Sequence, residues 1–287
     1  MLNAAYLTYL ATLISLFVIL GLSFNLLAGF TGLTNLGQTG FFLVGAYTVA
    51  LLQLNFGLPY TLAMPAALLA GALIAIFFSL LTKRTRGDTV AVMGLWFMIV
   101  LVIVALNWSG LTHGALGIPG IRRPLGFASP QMFLIFSALI TLVVYGILYR
   151  ILRSPYGRVL GSVRDDELAA QTLGKNIFKA RVIAFAISGG VSGIGGGLFA
   201  YTFQFIDPGS FHISMLVAVL ALVYVGGLAS LPGVIVGTLL IIILPEFLRF
   251  LPFNPEVLGA LRQIVFSTLV LLVILWKPRG ILGKVEL

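Results

Sequence analysis

Long apolar segments follow one another along almost the whole chain, and they constrain its fold more than any other feature. A helix needs about 20 apolar residues to cross the ~30 Å hydrocarbon core of a bilayer. Nine segments of roughly this length cover residues 4–28, 36–54, 58–81, 90–108, 131–152, 181–206, 213–229, 233–250 and 259–276. With 60% hydrophobic and 9% charged residues, the chain is predicted to be an all-α polytopic membrane protein. We expect a single transmembrane domain over residues 1–287, with eight or nine membrane segments and one long cytoplasmic loop at about 153–180.

Basic residues are concentrated in three of the gaps between these segments. Of the 17 lysines and arginines, three lie at 83–86, seven at 150–181 and three at 277–284. Cytoplasmic loops of membrane proteins carry an excess of Lys and Arg, so we place these gaps and the C-terminus in the cytoplasm. The gaps that we place outside cover 109–130, 207–212 and 251–258. Because the formal charge of +9 is gathered in this way, we expect contact with a bilayer and no nucleic-acid partner.

An unusual mixture of glycines and polar residues begins near the end of the first segment. From Asn25 the chain reads NLLAGFTGLTNLGQTGFFLVGAYT. Amides at membrane depth persist only where protein or a water-filled cavity satisfies them. One interpretation is a translocation pathway lined by Asn25, Asn35, Gln38 and Thr39; the other is an ordinary turn between two helices. Three segments precede Lys83, which puts Met1 outside, but Met1 lies inside if the segment at 36–54 is broken or re-entrant.

One long polar stretch, residues 158–181, interrupts the apolar pattern. Ser162 and Asp165 are spaced as in a capping box, and Gly174 stands where a glycine would end a helix. These signals predict a helix over residues 163–173. It would be about 16 Å long, too short and too charged to cross a bilayer, so it should lie along the membrane surface. A docking helix for another protein and a solvated linker both fit this pattern.

Two further patterns concern packing. Gly189, Gly193 and Gly197 recur at a spacing of four, which lets helices approach closely within the bundle or against a second membrane subunit. The sequence GLTNL at 32–36 recurs as GLASL at 227–231, again between two apolar segments. Internal duplication and coincidence in a chain rich in Gly and Leu both explain this repeat.

The chain lacks the sequence patterns of ATP-binding or metal-dependent enzymes. Neither of its two Gly-Lys pairs is followed by Ser or Thr, as a P-loop requires. It has no cysteine, and His113 and His212 lie in separate outside gaps without a cluster of further ligands. We therefore expect no catalytic activity, no metal site and no cofactor.

Several segments, taken together and in order, resemble one family along most of the chain. The matching stretches are GFTGLTNLGQTGFFLVGAYT at 29–48, LTHGALGIPG at 111–120, DPGSFHISM at 207–215, VGGLASLPGVIVG at 225–237 and WKPRGILG at 276–283. They resemble the membrane-spanning permease of ABC importers for branched-chain amino acids, a subfamily that includes urea and amide importers. At Gln38 relatives often carry His; Gln keeps the hydrogen bonding but does not titrate near neutral pH.

The resemblance implies transport by alternating access, driven by ATP hydrolysis in separate subunits. It implies a second homologous permease, two ATP-binding ABC subunits and an extracytoplasmic substrate-binding protein as partners. It also implies a multi-pass location in the cytoplasmic (inner) membrane of a prokaryote. Leucine, isoleucine or valine is the expected cargo, with other amino acids, urea and short amides as alternatives.

The resemblance also assigns roles to residues. ABC importer permeases carry a Glu-Ala-Ala motif followed by Gly on a cytoplasmic helix that docks into the ATPase, and here Leu168 stands in the place of the Glu. The residues to which we assign ATPase coupling are Asp165, Asp166, Glu167, Ala169, Ala170 and Gly174. The residues to which we assign docking of the binding protein are Thr112, His113, Asp207 and Ser210, within the outside stretches 112–120 and 207–211.

The residues alone leave a rival function open. A self-sufficient secondary carrier or channel for a small polar solute would need no ATPase, and the stretch at 158–181 would then be a linker. No acidic residue lies at the middle of a predicted span, which argues against proton coupling within the chain. Sodium coupling through backbone carbonyls would leave no such trace. A membrane scaffold that transports nothing is the third alternative.

Overall fold

The computed structural model describes residues 4–83, 85, 87–124, 126–247 and 255–283, which are almost entirely helical. In chain order the helices are α1 (Ala4–Thr31), α2 (Gln38–Phe56), α3 (Tyr60–Leu81), α4 (Gly87–Asn107), α5 (Ser109–Thr112), α6 (Pro130–Arg153), α7 (Pro155–Asp165), α8 (Glu167–Thr172), α9 (Ile177–Phe203), α10 (Ile213–Gly226), α11 (Leu231–Phe247) and α12 (Pro255–Trp276). Two 3₁₀ turns cover Gly114–Leu116 and Pro208–Phe211, and strands β1 (Ile118–Pro119) and β2 (Phe205–Ile206) pair antiparallel. The predicted all-α fold is confirmed.

Within the described residues, seven helical segments are long and apolar enough to cross a membrane. They are α1, α2, α3, α4, α6, α9 and the stretch Pro208–Gly226, which joins a 3₁₀ turn to α10. Two shorter apolar helical stretches follow at Leu231–Phe247 and Gln263–Val273. α2 is an unbroken helix from Gln38 to Phe56, so the irregular backbone near the second segment lies in the connection at 32–37. Residues 248–254, which include the end of the eighth predicted segment, lie outside the described residues.

α1 and α9 occupy the centre of the bundle. In each of these two helices, 72% of the residues in the most apolar 18-residue stretch are buried, compared with 28% in α4 and 28% in α6. The interior positions of these two helices carry small and polar side chains besides the usual aliphatic ones, such as Ser23 on α1 and Ser188 on α9. The peripheral helices therefore present most of their apolar surface outward, as lipid-facing helices do.

α9 lies in direct backbone contact with α2 and α3. A Cβ atom placed on Gly193 would be 2.2 Å from the carbonyl oxygen of Ala67 on α3. One placed on Gly196 would be 2.0 Å from the carbonyl oxygen of Phe42 on α2. No side chain fits at such distances, so the glycines allow the close approach that small residues give membrane helices. The packing role predicted for the glycines of this segment is confirmed within the bundle.

The three basic gaps meet at one end of the bundle, which we call the basic face. The Lys83 ammonium lies 4.7 Å from the ring centroid of Phe178, which joins the first gap to the second. Nη1 of Arg181 donates to the carbonyl oxygen of Thr85 at 3.3 Å. The stretch after α12 reaches the same end, where the amide of Ile281 donates to the carbonyl oxygen of Val225 at 3.0 Å.

Two of the loops that were predicted to lie outside, at 109–130 and 207–212, meet at the other end, which we call the opposite face; residues 251–254 of the third predicted loop lie outside the described residues. Ile118 pairs with Ile206 in the short β1–β2 ribbon, which joins the loop after α4 to the loop after α9. α1 connects the two ends: the Tyr9 ring lies 6.5 Å from that of Phe203 at the opposite face. Near its other end, the carbonyl oxygen of Gly29 accepts a bond from Arg164 at the basic face.

We predict that replacing Gly193 by Ala destabilises the bundle. The new methyl group has to displace the backbone of α3, and overpacking of this kind costs about 1–3 kcal/mol. Thermal unfolding of the purified chain in mild detergent, followed by the loss of monodisperse protein, measures the effect.

Gly146→Ala on α6 is the matched control. A Cβ atom at Gly146 meets nothing within 4 Å, and Ala favours a helix over Gly by up to ~1 kcal/mol. This variant should be as stable as the wild type or slightly more so. Equal stability of Gly193→Ala and the wild type would contradict the proposed role of the close contact.

Candidate coupling and translocation site

The polar segment on the basic face forms two helices where one was predicted. Ser154 caps α7, its Oγ accepting from the amide of Tyr156 at 3.2 Å, and Pro155 occupies the first helical position. α7 ends at Asp165, and Asp166 has an extended backbone with φ −158°. Asp166 then caps α8, its Oδ1 accepting from the amide of Ala169 at 3.0 Å.

The predicted helix over 163–173 is therefore wrong in its start and in its continuity. The predicted capping box of Ser162 and Asp165 does not form, because both residues lie inside α7 and Ser162 donates to the carbonyl oxygen of Val159. Asp166 is the N-cap residue instead, because its short carboxylate reaches the backbone amide of Ala169, three residues further along the chain. The predicted stop is confirmed: Gly174 follows α8 with φ +75°, a conformation that favours glycine.

The exposed surface of α8 has an apolar part beside the exposed polar side chains of Gln171 and Thr172. Leu168 is 75% exposed, Leu173 just after the helix is 78% exposed, and Ala169 is exposed between them. Ala170 is instead 2% exposed and packs in the core. Two large apolar side chains on an otherwise charged surface are typical of a protein contact. Sequence analysis named Leu168 at the usual place of the motif's Glu without assigning it to ATPase coupling, and it missed Leu173.

Two arginines fasten this segment to the membrane helices. Glu167 forms an ion pair with Arg181 in the first turns of α9. Arg164 pairs with Asp165 at 2.8 Å, and its Nη1 also donates to the carbonyl oxygen of Gly29 at 3.2 Å. The carbonyl groups near the end of a helix lack partners within it, so Arg164 satisfies one of those of α1.

α7 is held by its own buried face. Leu160 and Val163 are buried, and the Tyr156 hydroxyl donates to the carbonyl oxygen of Ala180 at 2.8 Å. Burial raises the pKa of the Tyr156 phenol above its ordinary value of 10.0, so the hydroxyl stays protonated and can donate at physiological pH. The two surface helices are thus fixed to α9.

A shallow cavity of about 520 Å³ lies beside α8 on the basic face. Lys83, Lys175 and Arg181 line it together with Glu167, so cations outnumber anions at its wall. Such a surface favours contact with acidic or polar groups of a partner.

Asn25, inside the bundle, bridges the break between α10 and α11. Its Oδ1 accepts from the amide of Ala229 at 3.1 Å, and its Nδ2 donates to the carbonyl oxygen of Ser230 at 3.0 Å. Residues 227–230 have no helical pattern, and Ala229 has a positive φ of +57°. Asn25 therefore supplies the partners that irregular backbone needs when it is buried in a membrane protein.

Gln38 is the centre of a second buried network. Its Nε2 lies 2.9 Å from the Oγ atoms of both Ser23 and Ser188 and 2.8 Å from that of Ser192. An amide nitrogen has two hydrogens, so it donates to two of these three hydroxyls at a time. Ser188 also donates to the carbonyl oxygen of Ser23 at 2.8 Å. The network joins α1, α2 and α9, and all four side chains are fully buried.

Asn35 and Thr39 flank this network. Oδ1 of Asn35 accepts from the amide of Gly37 at 3.0 Å, while its Nδ2 lies 3.4 Å from Oε1 of Gln38. The Thr39 hydroxyl lies 2.7 Å from the sulfur of Met98 on α4. All four residues predicted to line a pathway are thus buried, with polar partners inside the chain.

The structure brings the two predicted docking loops together on the opposite face. The β1–β2 pairing joins them, and the Ser210 hydroxyl donates to Oδ1 of Asp207 at 2.5 Å. His113 and Ser210 are exposed, whereas Thr112 is buried. The Thr112 hydroxyl lies 2.6 Å from the carbonyl oxygen of Ala105 on α4 and 2.7 Å from that of Trp108. Leu116, which sequence analysis did not single out, is 84% exposed at the tip of the first loop.

Comparison with known proteins agrees with this architecture. Residues 6–275 match the family model described as the permease component of branched-chain amino acid transport systems. The chain is 32% identical to the high-affinity branched-chain amino acid transport system permease protein LivM of Escherichia coli, over 95% of this chain and 69% of that protein. It is 26% identical to a probable LivM permease of Methanocaldococcus jannaschii, over 94% of this chain and 91% of that protein.

A third relative differs in its named substrate. The guanosine ABC transporter permease protein NupQ of Bacillus subtilis is 29% identical over 60% of each chain. Because the family model covers residues 6–275 and the LivM match covers 95% of this chain, the assignment does not depend on a single motif. The chain therefore belongs to the family of permease components of branched-chain amino acid transport systems, and it is a transport subunit and not itself an enzyme.

Proposed function

We propose that this permease carries branched-chain or closely related amino acids across the cytoplasmic membrane of a prokaryote. Permeases of this type function in ABC systems with partner subunits. We infer that the partners here are a second homologous permease, two ATP-binding ABC subunits and an extracytoplasmic substrate-binding protein. The observation that carries the proposal is the apolar surface of Leu168, Ala169 and Leu173 on the basic face, where a cytoplasmic ATPase would dock.

The proposed orientation places the basic face in the cytoplasm, as the distribution of Lys and Arg indicates. Residues 277–283 belong to that face, so the C-terminus would be cytoplasmic. α1 would begin outside, since its first turns lie at the opposite face and Gly29 lies at the basic face. The continuous α2 supports the same side for the N-terminus, because three complete spans then precede Lys83.

In the proposed coupling, the ATPase contacts α8 and moves it with the bundle. Ala169, Leu168 and Leu173 would form the contact, while Asp166 and Gly174 shape the ends of the helix. Glu167 would transmit movement to α9 through Arg181, and Asp165 would hold Arg164 against α1. The role of Ala170 would be packing, because its side chain faces the core.

The proposed pathway runs beside Asn25, Asn35, Gln38 and Thr39. Their burial means that a substrate reaches them only after α1, α2 and α9 move apart. In the closed arrangement these hydroxyl and amide groups form hydrogen bonds to one another. When the helices separate, the same groups can bond to a polar substrate instead, so none of them is left unsatisfied in the membrane. Alternating access would then be an exchange between these two sets of hydrogen bonds.

At the opposite face, the joined loops would receive the binding protein. His113, Ser210 and the exposed Leu116 would form the contact surface. Thr112 and Asp207 would act indirectly, since Thr112 is buried and Asp207 accepts a bond from Ser210.

We predict that changing both Leu168 and Leu173 to Glu abolishes association with the ATPase. The change places charge on the apolar contact without altering the buried side of α8, so the fold should persist. Affinity purification from native membranes in mild detergent, with mass spectrometry of the associated proteins, measures the loss.

Leu116→Glu is the control for this change, because it adds a charge at an equally exposed leucine on the opposite face. It should leave the ATPase bound. If the Leu168/Leu173 variant retains the ATPase, α8 is not the docking site. If the wild-type chain purifies without any ATPase, the importer assignment is contradicted.

We predict that changing both Asn35 and Gln38 to Leu abolishes substrate uptake while assembly persists. The buried serines lose their shared partner at a cost of about 1–3 kcal/mol, which the remaining helix contacts can absorb. Uptake of labelled leucine into vesicles that hold the whole importer and internal ATP measures the effect.

The exposed amide of Gln263 on α12 provides the control: Gln263→Leu should transport normally. Normal uptake by the double variant would contradict a pathway at this place. In the same assay, wild-type uptake should require ATP and be unaffected by excess guanosine; uptake by this chain alone would instead support the self-sufficient carrier.

A further inference from the structure

A cavity of about 500 Å³ lies on the opposite face, where α2 ends and α3 begins. Its wall is formed by Gln53 near the end of α2, Tyr60 at the start of α3, Arg122 and Arg123 after β1, and Tyr201 near the end of α9. The transport roles described above use none of these residues.

Three of the residues that line this cavity each carry a buried side-chain polar atom without a hydrogen-bond partner. These atoms are Oε1 of Gln53, Nε of Arg123 and the hydroxyl of Tyr201, and only two other side-chain atoms in the described part of the chain are in the same condition. Tyr201 is fully buried, so its hydroxyl is out of reach of bulk water. A buried polar group without a partner is costly, and several at one cavity indicate a ligand that completes them.

The chemistry of the three atoms defines the ligand. The Arg123 Nε–H and the Tyr201 hydroxyl can both donate, and one carries a positive charge, so they suit an anionic oxygen. Oε1 of Gln53 only accepts, so the same ligand needs a hydroxyl or another donor close to its anion. Gln53 is held in place, because its Nε2 donates to the carbonyl oxygen of Arg122 at 2.8 Å.

The positive charge of two adjacent arginines beside this cavity is also unusual for this face of the protein. Arg122 and Arg123 lie apart from the three basic gaps, on the face where Lys and Arg are normally scarce. Among the described residues the ion pairs join Arg164 to Asp165 and Arg181 to Glu167, and they do not include these two arginines. Arg123 is positioned by a bond from Nη1 to the carbonyl oxygen of Ala128 at 3.3 Å and by the Phe133 ring at 5.1 Å.

The surroundings of the cavity are those of a membrane interface. Leu54 lines it and is 43% exposed, and Phe56 and Leu62 nearby are 71% and 56% exposed. Apolar side chains that point outward at a helix end suit acyl chains, with the cavity at the level of the headgroups. A soluble anion would gain nothing from this apolar rim.

We propose that this cavity binds the headgroup of an anionic glycerophospholipid that also carries hydroxyl groups, such as phosphatidylglycerol, from the outer leaflet. The phosphate oxygens accept from Nε of Arg123 and from the Tyr201 hydroxyl. A headgroup hydroxyl donates to Oε1 of Gln53. The acyl chains lie along Leu54, Phe56 and Leu62.

The test uses the permease in its purified complex, stripped of lipid by washing in mild detergent. Phosphatidylglycerol, phosphatidylcholine or inorganic phosphate is then added, and native mass spectrometry counts the bound molecules while thermal unfolding reports their effect. Phosphatidylcholine has the phosphate but no headgroup donor for Gln53, so it should bind about tenfold more weakly. Inorganic phosphate should raise the unfolding temperature much less than phosphatidylglycerol does.

Two variants and one control locate the binding. Arg123→Gln should weaken phosphatidylglycerol binding about tenfold or more, because a charge-assisted bond is lost. Tyr201→Phe should also weaken phosphatidylglycerol binding. Because the Tyr201 hydroxyl has no partner in the described chain, its removal should leave the fold intact. This variant therefore tests the site even if Arg123→Gln disturbs the loop that holds Arg123. Arg150→Gln, at an exposed arginine on the basic face, should have no effect.

Three outcomes would overturn the proposal. Tyr201→Phe that binds phosphatidylglycerol as tightly as the wild type would show that the lipid lies elsewhere. Equal binding of phosphatidylcholine would show that the cavity does not select the headgroup. An equal effect of inorganic phosphate would assign the site to a free anion and not to a lipid.

Discussion

The backbone contact of α9 with α2 and α3 is the interaction on which the rest of this structure depends. It requires glycine at positions such as Gly193 and Gly196, where carbonyl oxygens of the neighbouring helices occupy the space of a side chain. The same approach brings Ser188 and Ser192 within reach of Gln38. Apolar side chains are no better solvated by one another than by lipid, so close packing and buried hydrogen bonds hold these helices together.

Two interruptions of helical structure lie close together, because Asn25 and Gly29 of α1 both contact the backbone of Ala229. The connection at 32–37 follows α1, and the break at 227–230 follows α10; they hold the similar sequences GLTNL and GLASL. Asn25 satisfies the second break, and Arg164 reaches the end of α1 beside the first. The surface helices are therefore attached where the backbone is least regular, and irregular backbone changes shape at lower cost than a continuous helix does.

Much of this architecture was predictable from the sequence, since a span is a property of consecutive residues. The segment predicted at 131–152, for instance, is a helix over Pro130–Arg153. The surface segment was harder, because two carboxylates in a row each offer a cap. In the structure Leu160 and Val163 are buried and α7 continues to Asp165, so Asp166 caps the next helix. Which of two adjacent alanines is exposed depends on the rotation of a six-residue helix, which no periodicity fixes. The unpartnered atoms around Tyr201 come from three distant segments and leave no local signal.

α9 joins both ends of the proposed transport cycle. It begins at the basic face, where Arg181 pairs with Glu167 of α8, and it is followed by β2, which pairs with the loop that holds His113 and Leu116. Over 27 residues it spans about 40 Å. Its glycines contact the backbones of α2 and α3, and its Phe185 and Phe199 pack against Phe78 of α3 and Phe42 of α2. A shift of α9 would change both docking surfaces together. The coupling free energy between two binding sites is the same in both directions. A binding protein at the opposite face would therefore change the affinity of α8 for the ATPase by the same factor as the ATPase changes the affinity of the outer loops for the binding protein.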